Sequence, residues 1–149
     1  MKELTISAIK DGTVIDHIPA GCVFKIGNIL RIDEIRSRVS IAANLPSTEM
    51  GKKGIIKISG VELAEEDVQK IALLAPDATL NIIKDYKVRS KEKLTVPGRL
   101  IGILRCFNPS CITNAEPVVT QFTVDSKDPL ILRCHHCERC ARADDIELI

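Results

Sequence analysis

Five of the chain's six cysteines, Cys106, Cys111, Cys134, Cys137 and Cys140, fall within the last 44 of its 149 residues. Four residues separate Cys106 from Cys111, then a 22-residue insert leads to Cys134 and Cys137, which are separated by two. Two close thiol pairs joined by a hairpin-sized insert suit a tetrahedral four-cysteine structural site, because each short loop lets both sulfurs face one ion at about 2.3 Å. The 54 residues of 96–149 cannot bury a large apolar core and need such a staple. Metal binding at sites of this kind is worth of order 10–16 kcal/mol in peptides, so this segment is expected to unfold without its ion. A redox dithiol needs only one pair, catalytic zinc needs an open position, and a rubredoxin-type iron site would have two short Cys-x-x-Cys loops, from which the four-residue spacer departs. Spacing leaves the frame open: Cys137 and Cys140 are also a Cys-x-x-Cys pair, and His135 and His136 are alternative donors. Cys22 reads as a small buried apolar residue on a helical face.

Clustered free thiols imply a reducing compartment. The opening stretch MKELTISAIKDGTVIDHIP has neither a long apolar run nor a small-residue cleavage site, and no apolar run approaches the roughly 20 residues of a membrane span. The expectation is a cytoplasmic protein without a membrane segment. Lys and Arg total 21 against 20 Asp and Glu, which excludes a broad polyanion-binding surface but not a local basic pocket. Aromatic residues make up 3%, too few for the stacking platforms of a single-strand nucleic-acid reader.

A boundary is expected near residue 95. Residues 1–95 carry 15 basic and 13 acidic residues with one cysteine, whereas 96–149 carry 6 and 7 with five. The polar stretch Ser90 to Gly98, ending in Pro97-Gly98, reads as the connection. In the first module, Leu4 to Ile9 and Thr13 to Ile18 read as a strand bent around Asp11-Gly12. A helix follows Pro19, with Val23, Ile26, Gly27 and Leu30 at helical spacing. Val39 to Ala43 and Gly54 to Ser59 read as strands joined by a loop. A second helix opens with Glu65, Glu66 and Asp67, which complement its dipole, and stops at Pro76. Thr79 to Val88 reads as one last strand. The order strand, helix, strand, strand, helix, strand predicts an α+β fold, a ferredoxin-like sandwich of an antiparallel sheet with two helices. The second module shows only strands and turns, at Leu100 to Leu104, Pro117 to Val124, Leu130 to Leu132 and Asp145 to Ile149, and reads as a small all-β, zinc-ribbon-like domain.

No catalytic constellation is visible. There is no phosphate-loop spacing around Lys52-Lys53, no Gly-x-Ser-x-Gly, and no nucleophile beside His17. What remains is a set of cations, Lys53, Lys57, Lys84, Lys87, Arg89, Lys91 and Lys93, concentrated around two strands. A solvated strand face accounts for them individually. A pocket for a phosphorylated small molecule, with Asp16 available to ribose hydroxyls, is the sharper reading.

The strings GTVIDHIPA (12–20), NLPSTEMGKKGIIKI (44–58), LAPDATLNIIKDYKV (74–88) and CFNPSCITNAEPV (106–118), in this order and followed by the later Cys-x2-Cys, closely resemble the regulatory chain of aspartate carbamoyltransferase. The resemblance implies a non-catalytic subunit with a nucleotide-binding allosteric domain over 1–95 and a zinc domain over 96–149 that contacts the catalytic chain. In that family regulatory dimers join catalytic trimers, CTP inhibits, UTP assists in some members and ATP activates in some. Carried over by position, one structural zinc ion falls to Cys106, Cys111, Cys134 and Cys137, with Cys140 outside the pattern. The nucleotide positions are Ala8, Ile9, Val14, Asp16, His17, Lys57, Asn81, Ile83, Tyr86, Val88 and Lys91, with Lys53 nearby. Lys91 and His17 would meet phosphates, Lys57 and Asp16 the ribose, and backbone near Ile9 and Tyr86 the base, while Val14, Ile83 and Val88 wall the pocket. Ser7 stands where family members can carry an acidic residue. The rival class is a zinc-ribbon nucleic-acid-binding protein, against which the near-neutral charge and scarce aromatics count.

Overall fold

The structure is a computed structural model and describes residues 9–149. Ala8, Ser7 and all but the last residue of the expected Leu4 to Ile9 strand lie outside the described residues. The chain divides into two compact units, one ending at Thr95 and one running from Val96 to Ile149.

The first unit runs β1 (Gly12–Pro19), a 3-10 turn (Ala20–Cys22), α1 (Val23–Ile29), a second 3-10 turn (Ile32–Glu34), β2 (Val39–Ser47), β3 (Gly51–Ser59), α2 (Glu65–Leu74), β4 (Thr79–Lys84) and β5 (Lys87–Lys93). Its sheet is ordered β2-β3-β1-β4-β5 and every pairing is antiparallel. The first four strands with their two helices form the ferredoxin-like α+β arrangement, and β5 extends its edge. The helices form because Val23, Ile26 and Gly27 recur on one face of α1 and Ile71 and Ala72 lie on the buried side of α2. They cover Ile15, Ile18, Ile56 and Ile58, all fully buried. Gly54 is what lets α1 lie close to β3: a Cβ there would sit 1.9 Å from Val23 Cγ2. Cys22 lies in the 3-10 turn rather than on a helical face and is only half-buried, its thiol 3.6 Å from the Leu74 carbonyl.

Within the first unit three element expectations differ from the structure. The stretch read as one strand, Thr79 to Val88, is a hairpin whose two-residue turn, Asp85-Tyr86, has φ of 50° and 66°. Asp-Tyr lacks the glycine that usually announces such a turn. Contacts from the neighbouring segment hold it, the Asp85 amide donating to Asp11 Oδ1 (3.1 Å) and the Tyr86 amide to the Lys10 carbonyl (2.9 Å). As a result Ser90 to Lys93 is strand, and the polar connection shrinks to the residues after it. The β2–β3 hairpin also reaches further than expected, pairing Ser47 with Gly51. Pro46 is tolerated there because β2 is an edge strand.

The second unit contains β6 (Arg99–Ile101), β7 (Leu104–Arg105), α3 (Ile112–Ala115), β8 (Gln121–Lys127), β9 (Leu130–Cys134), β10 (Cys140–Arg142), a 3-10 turn (Ala143–Asp145) and β11 (Glu147–Leu148). One sheet is ordered β10-β9-β8-β6, and β7 pairs with β11. The expected strand over Leu100 to Leu104 is split by Gly102, whose φ of 67° turns the chain from one sheet to the other. The single-turn α3 and the strand β10 were not expected, since four and three residues are too short for any periodicity to show. Phe122, Leu100, Leu104 and Leu132 form the apolar centre, and three of the cysteines are buried with them.

Candidate functional site

The face of the first sheet turned away from the helices carries a continuous row of chemistry. Val14 on β1 is directly opposite Lys57 on β3 and Asn81 on β4, and Asn81 is opposite Lys91 on β5. Residues directly opposite in antiparallel strands share a face, so Lys57, Val14, Asn81 and Lys91 form one row. At about 4.8 Å per strand the two lysine backbones are about 14 Å apart. A parallel row holds Ile83 and Val88, which also pair directly. Ile9, Val14 and Ile83 pack into a small buried cluster with Ile55 beside them, so an apolar floor lies under the polar row. Asn81 is buried, its Nδ2 3.4 Å from the Val14 carbonyl. Val88 and the Tyr86 side chain are exposed at the β4–β5 end.

Asp16 and His17 join this face through a bulge. The register of β1 against β3 shifts between Ile15 and Ile18, where His17 adopts φ of 58°. The break lets two consecutive residues work on one side. Asp16 pairs with Thr79, and His17 Nδ1 lies 3.3 Å from Thr79 Oγ1 and 4.0 Å from Asp16 Oδ2. His17 Nε2 is 3.8 Å from Glu49 Oε2. Lys53 Nζ lies 2.9 Å from Asp16 Oδ1 and 3.1 Å from Oδ2, and the His17 amide donates to Oδ1 at 2.7 Å. Burial alone would push the Asp16 carboxyl up, but hydrogen bonds from Lys53 and the His17 amide, with the nearby positive charge, hold it below the usual carboxylate range. The structure thus sets on one face of the sheet the described residues that the resemblance assigns to a nucleotide, with Tyr86 at the rim. Lys53, set only nearby by the sequence, is the direct partner of Asp16; the alternation of β3 with Lys57 was the signal for it.

The second unit gathers four sulfurs. Sγ atoms of Cys106, Cys111, Cys134 and Cys137 all lie within 4.8 Å of one another. Cys106 and Cys137 are 3.7 Å apart, and Cys111 and Cys134 3.8 Å. These are not disulfide distances, which are about 2.05 Å. They match the edge of a tetrahedron with metal–sulfur bonds of about 2.3 Å, which is about 3.8 Å. Cys140 is exposed, and His135 and His136 are exposed with their rings edge to face; none belongs to the cluster.

The loops arrange donors toward these sulfurs. Asn108 N–H points to Cys106, Cys137 and His136 N–H to Cys134, and Arg139 N–H together with the Asn108 side chain to Cys137. Thr113 Oγ1 donates to Cys111 Sγ at 3.2 Å. Three of them respond unequally as thiols: burial pushes Cys106 up to about 12 and raises Cys134. Burial acts the same way on Cys137, but the Arg139 amide, the Asn108 side chain and the neighbouring sulfurs outweigh it and bring that thiol down to about 7. Sulfur donors, tetrahedral spacing and converging N–H groups all fit a soft divalent ion.

Comparison with known proteins agrees on both units. Residues 4–95 match the family model described as aspartate carbamoyltransferase regulatory chain, allosteric domain, and residues 98–147 the one described as its metal binding domain. Over 148 residues the chain is 53% identical to the aspartate carbamoyltransferase regulatory chain of Pyrococcus abyssi, covering 98% of this chain and 97% of that one. The corresponding chain of Thermococcus gammatolerans is 48% identical over 147 residues, 98% and 97% of the two chains. That of Porphyromonas gingivalis is 45% identical over 148, 99% and 98%.

Proposed function

Since the chain belongs to the family of aspartate carbamoyltransferase regulatory chains, a non-catalytic component of a pyrimidine-pathway enzyme whose partner is the catalytic chain, we propose that its first unit binds nucleoside triphosphates as allosteric effectors. The observation that carries this is the row Lys57, Val14, Asn81 and Lys91 across four strands, with Asp16 and His17 brought beside it by the bulge. Cations at both ends of an apolar floor suit a ligand with a flat base, a polyol and an anionic tail. Lys91 and His17 take the phosphates, Lys57 and Asp16 the ribose. Asp16 already accepts from Lys53 at both oxygens and from the His17 amide; a carboxylate offers about four lone-pair sites, so one remains for a sugar hydroxyl. Val14, Ile83 and Val88 wall the base. Because the Tyr86 amide is committed to Lys10, the Tyr86 carbonyl is the group that accepts from a base amino group, with backbone of Ala8 and Ile9 completing the edge. That chemistry selects CTP and ATP, with UTP as an assisting effector.

The second unit, in this reading, holds one zinc ion through Cys106, Cys111, Cys134 and Cys137. The ion supplies the crosslink that fixes the loops of a small unit, and the fixed surface docks onto the catalytic chain. Regulatory dimers joining catalytic trimers, in the cytoplasm, complete the proposal. No helix among the described residues is long and apolar enough to cross a membrane. A nucleotide acts on the catalytic chain only by binding the two states of the assembly with different affinity, and substrate must alter nucleotide affinity by the same factor. The test is calorimetric titration of CTP, UTP and ATP into the complex rebuilt with its catalytic chain, read beside activity against aspartate. Absence of binding by all three nucleotides would refute the effector role.

A further inference from the structure

We propose that Thr113 is a positioning residue for the metal: its hydroxyl donates to the Cys111 sulfur and keeps that thiolate on the ion. This deepens the reading of the four-cysteine cluster as a metal centre and rests on it. Four thiolates carry two more negative charges than a divalent ion cancels, and that surplus must be met by hydrogen-bond donors where water cannot reach. Cys111 is 1% exposed, so bulk solvent does not serve its sulfur. Amides of the two loops converge on Cys106, Cys134 and Cys137. At Cys111 the donor is a side chain, Thr113 Oγ1 at 3.2 Å.

The placement is held from the neighbouring residue. Asn114 Nδ2 donates to the carbonyls of Cys106 (2.9 Å) and Asn108 (2.7 Å), which straps α3 to the loop that bears the first cysteine pair. A threonine in a helix ordinarily turns its hydroxyl to a carbonyl of the preceding turn. In α3, which spans Ile112–Ala115 directly after Cys111, no such turn precedes it, and the hydroxyl reaches the sulfur two residues back. A methyl in that place would take this donor away from the sulfur.

The experiment compares full-length wild type with Thr113→Val, which keeps the shape and loses the hydroxyl, and Thr113→Ser, which keeps the hydroxyl and loses the methyl. Zinc-loaded protein is mixed with excess chromogenic chelator, and cobalt(II)-loaded protein is read by its thiolate charge-transfer absorption. Loss of a hydrogen bond to a metal ligand typically costs about 10–100-fold in metal affinity. The valine variant is therefore expected to release zinc that much faster and to show the cobalt band at longer wavelength, with the serine variant like wild type in both. If the valine variant does not fold, Thr113→Ala is put through the same two assays. A hydroxyl-free variant with wild-type release and an unshifted band overturns the proposal. Failure of wild type itself to give a cobalt–thiolate band would instead overturn the metal-centre reading, so the two failures are told apart.

Discussion

Lys53 and Asp16 form a bidentate ion pair, one ammonium lying 2.9 and 3.1 Å from the two oxygens of one carboxylate across the β1–β3 ladder. Both side chains are about one-fifth exposed, so the pair is neither a surface contact nor a buried one. Its function is geometric: it pins the carboxylate beside His17 at the bulge.

The pair has a pH dependence of definite sign. The Asp16 carboxyl is depressed in the folded state, so its contribution is fully present above the unfolded value of about 3.9 and is lost as pH falls through the lower folded value. Lys53→Met is expected to raise the Asp16 value, seen by carboxyl NMR titration. It should lower stability at neutral pH by about 1 kcal/mol or less, as partly exposed pairs do. The difference from wild type should vanish in acid; an equal difference at all pH values would exclude the pair as its origin.

Lys57→Ala and Lys91→Ala should weaken nucleotide binding while leaving the sheet intact. A charged hydrogen bond is worth about 1.5–3 kcal/mol, or roughly ten- to hundredfold in affinity. Calorimetry with CTP checks the loss, and unchanged thermal unfolding checks the fold. A Lys91→Ala chain that binds CTP as tightly as wild type contradicts the site.

Cys111→Ala should remove the cooperative fold of the second unit and with it association with the catalytic chain, whereas Cys140→Ser should change neither metal content nor assembly. Elemental analysis and sedimentation of the mixed chains separate the two variants. Equal loss of metal in both would mean that the exposed Cys140 belongs to the ligand set.

Gly54→Ala places a methyl where Val23 Cγ2 already lies. Overpacking of this kind costs about 1–3 kcal/mol, expected as a lower denaturant midpoint for the first unit. The double variant with Val23→Ala should recover part of the loss relative to additivity. An additive result would show that the helix, not the methyl contact, has moved.

Much of this molecule is legible in its sequence because the periodicities are long enough to read: the spacing of Val23, Ile26 and Gly27, and the alternation within Gly54 to Ser59. The site positions came from resemblance over whole strings, since strand-face chemistry has no spacing signature of its own. What escaped was set by tertiary context. The Asp85-Tyr86 turn depends on Lys10 and Asp11 in another segment. The split at Gly102 depends on two strands elsewhere, β8 and β11, that claim its flanks. Spacing alone left Cys140 a candidate; resemblance set it aside, and the convergence of the four other sulfurs agrees.

The bulge in β1 has one further consequence, which concerns parity. In an unbroken strand residues three apart point to opposite sides, yet Ile15 and Ile18 are both completely buried beneath the same pair of helices. On the outer face Val88 and Lys91, also three apart, are both paired with residues of one row system, because β5 slips once against β4. Each slip exchanges inside for outside along everything that follows it. Straightening β1 with both Asp16 and His17 kept would therefore not disturb the ligand face alone; it would turn Ile18 outward and draw a polar neighbour into the core, whereas deleting one of the two would leave Ile18 inside and cost the ligand face a residue. At this chain length hydrophobic burial thus enforces the irregularity that the site uses, and substitutions under selection for stability alone would still keep it.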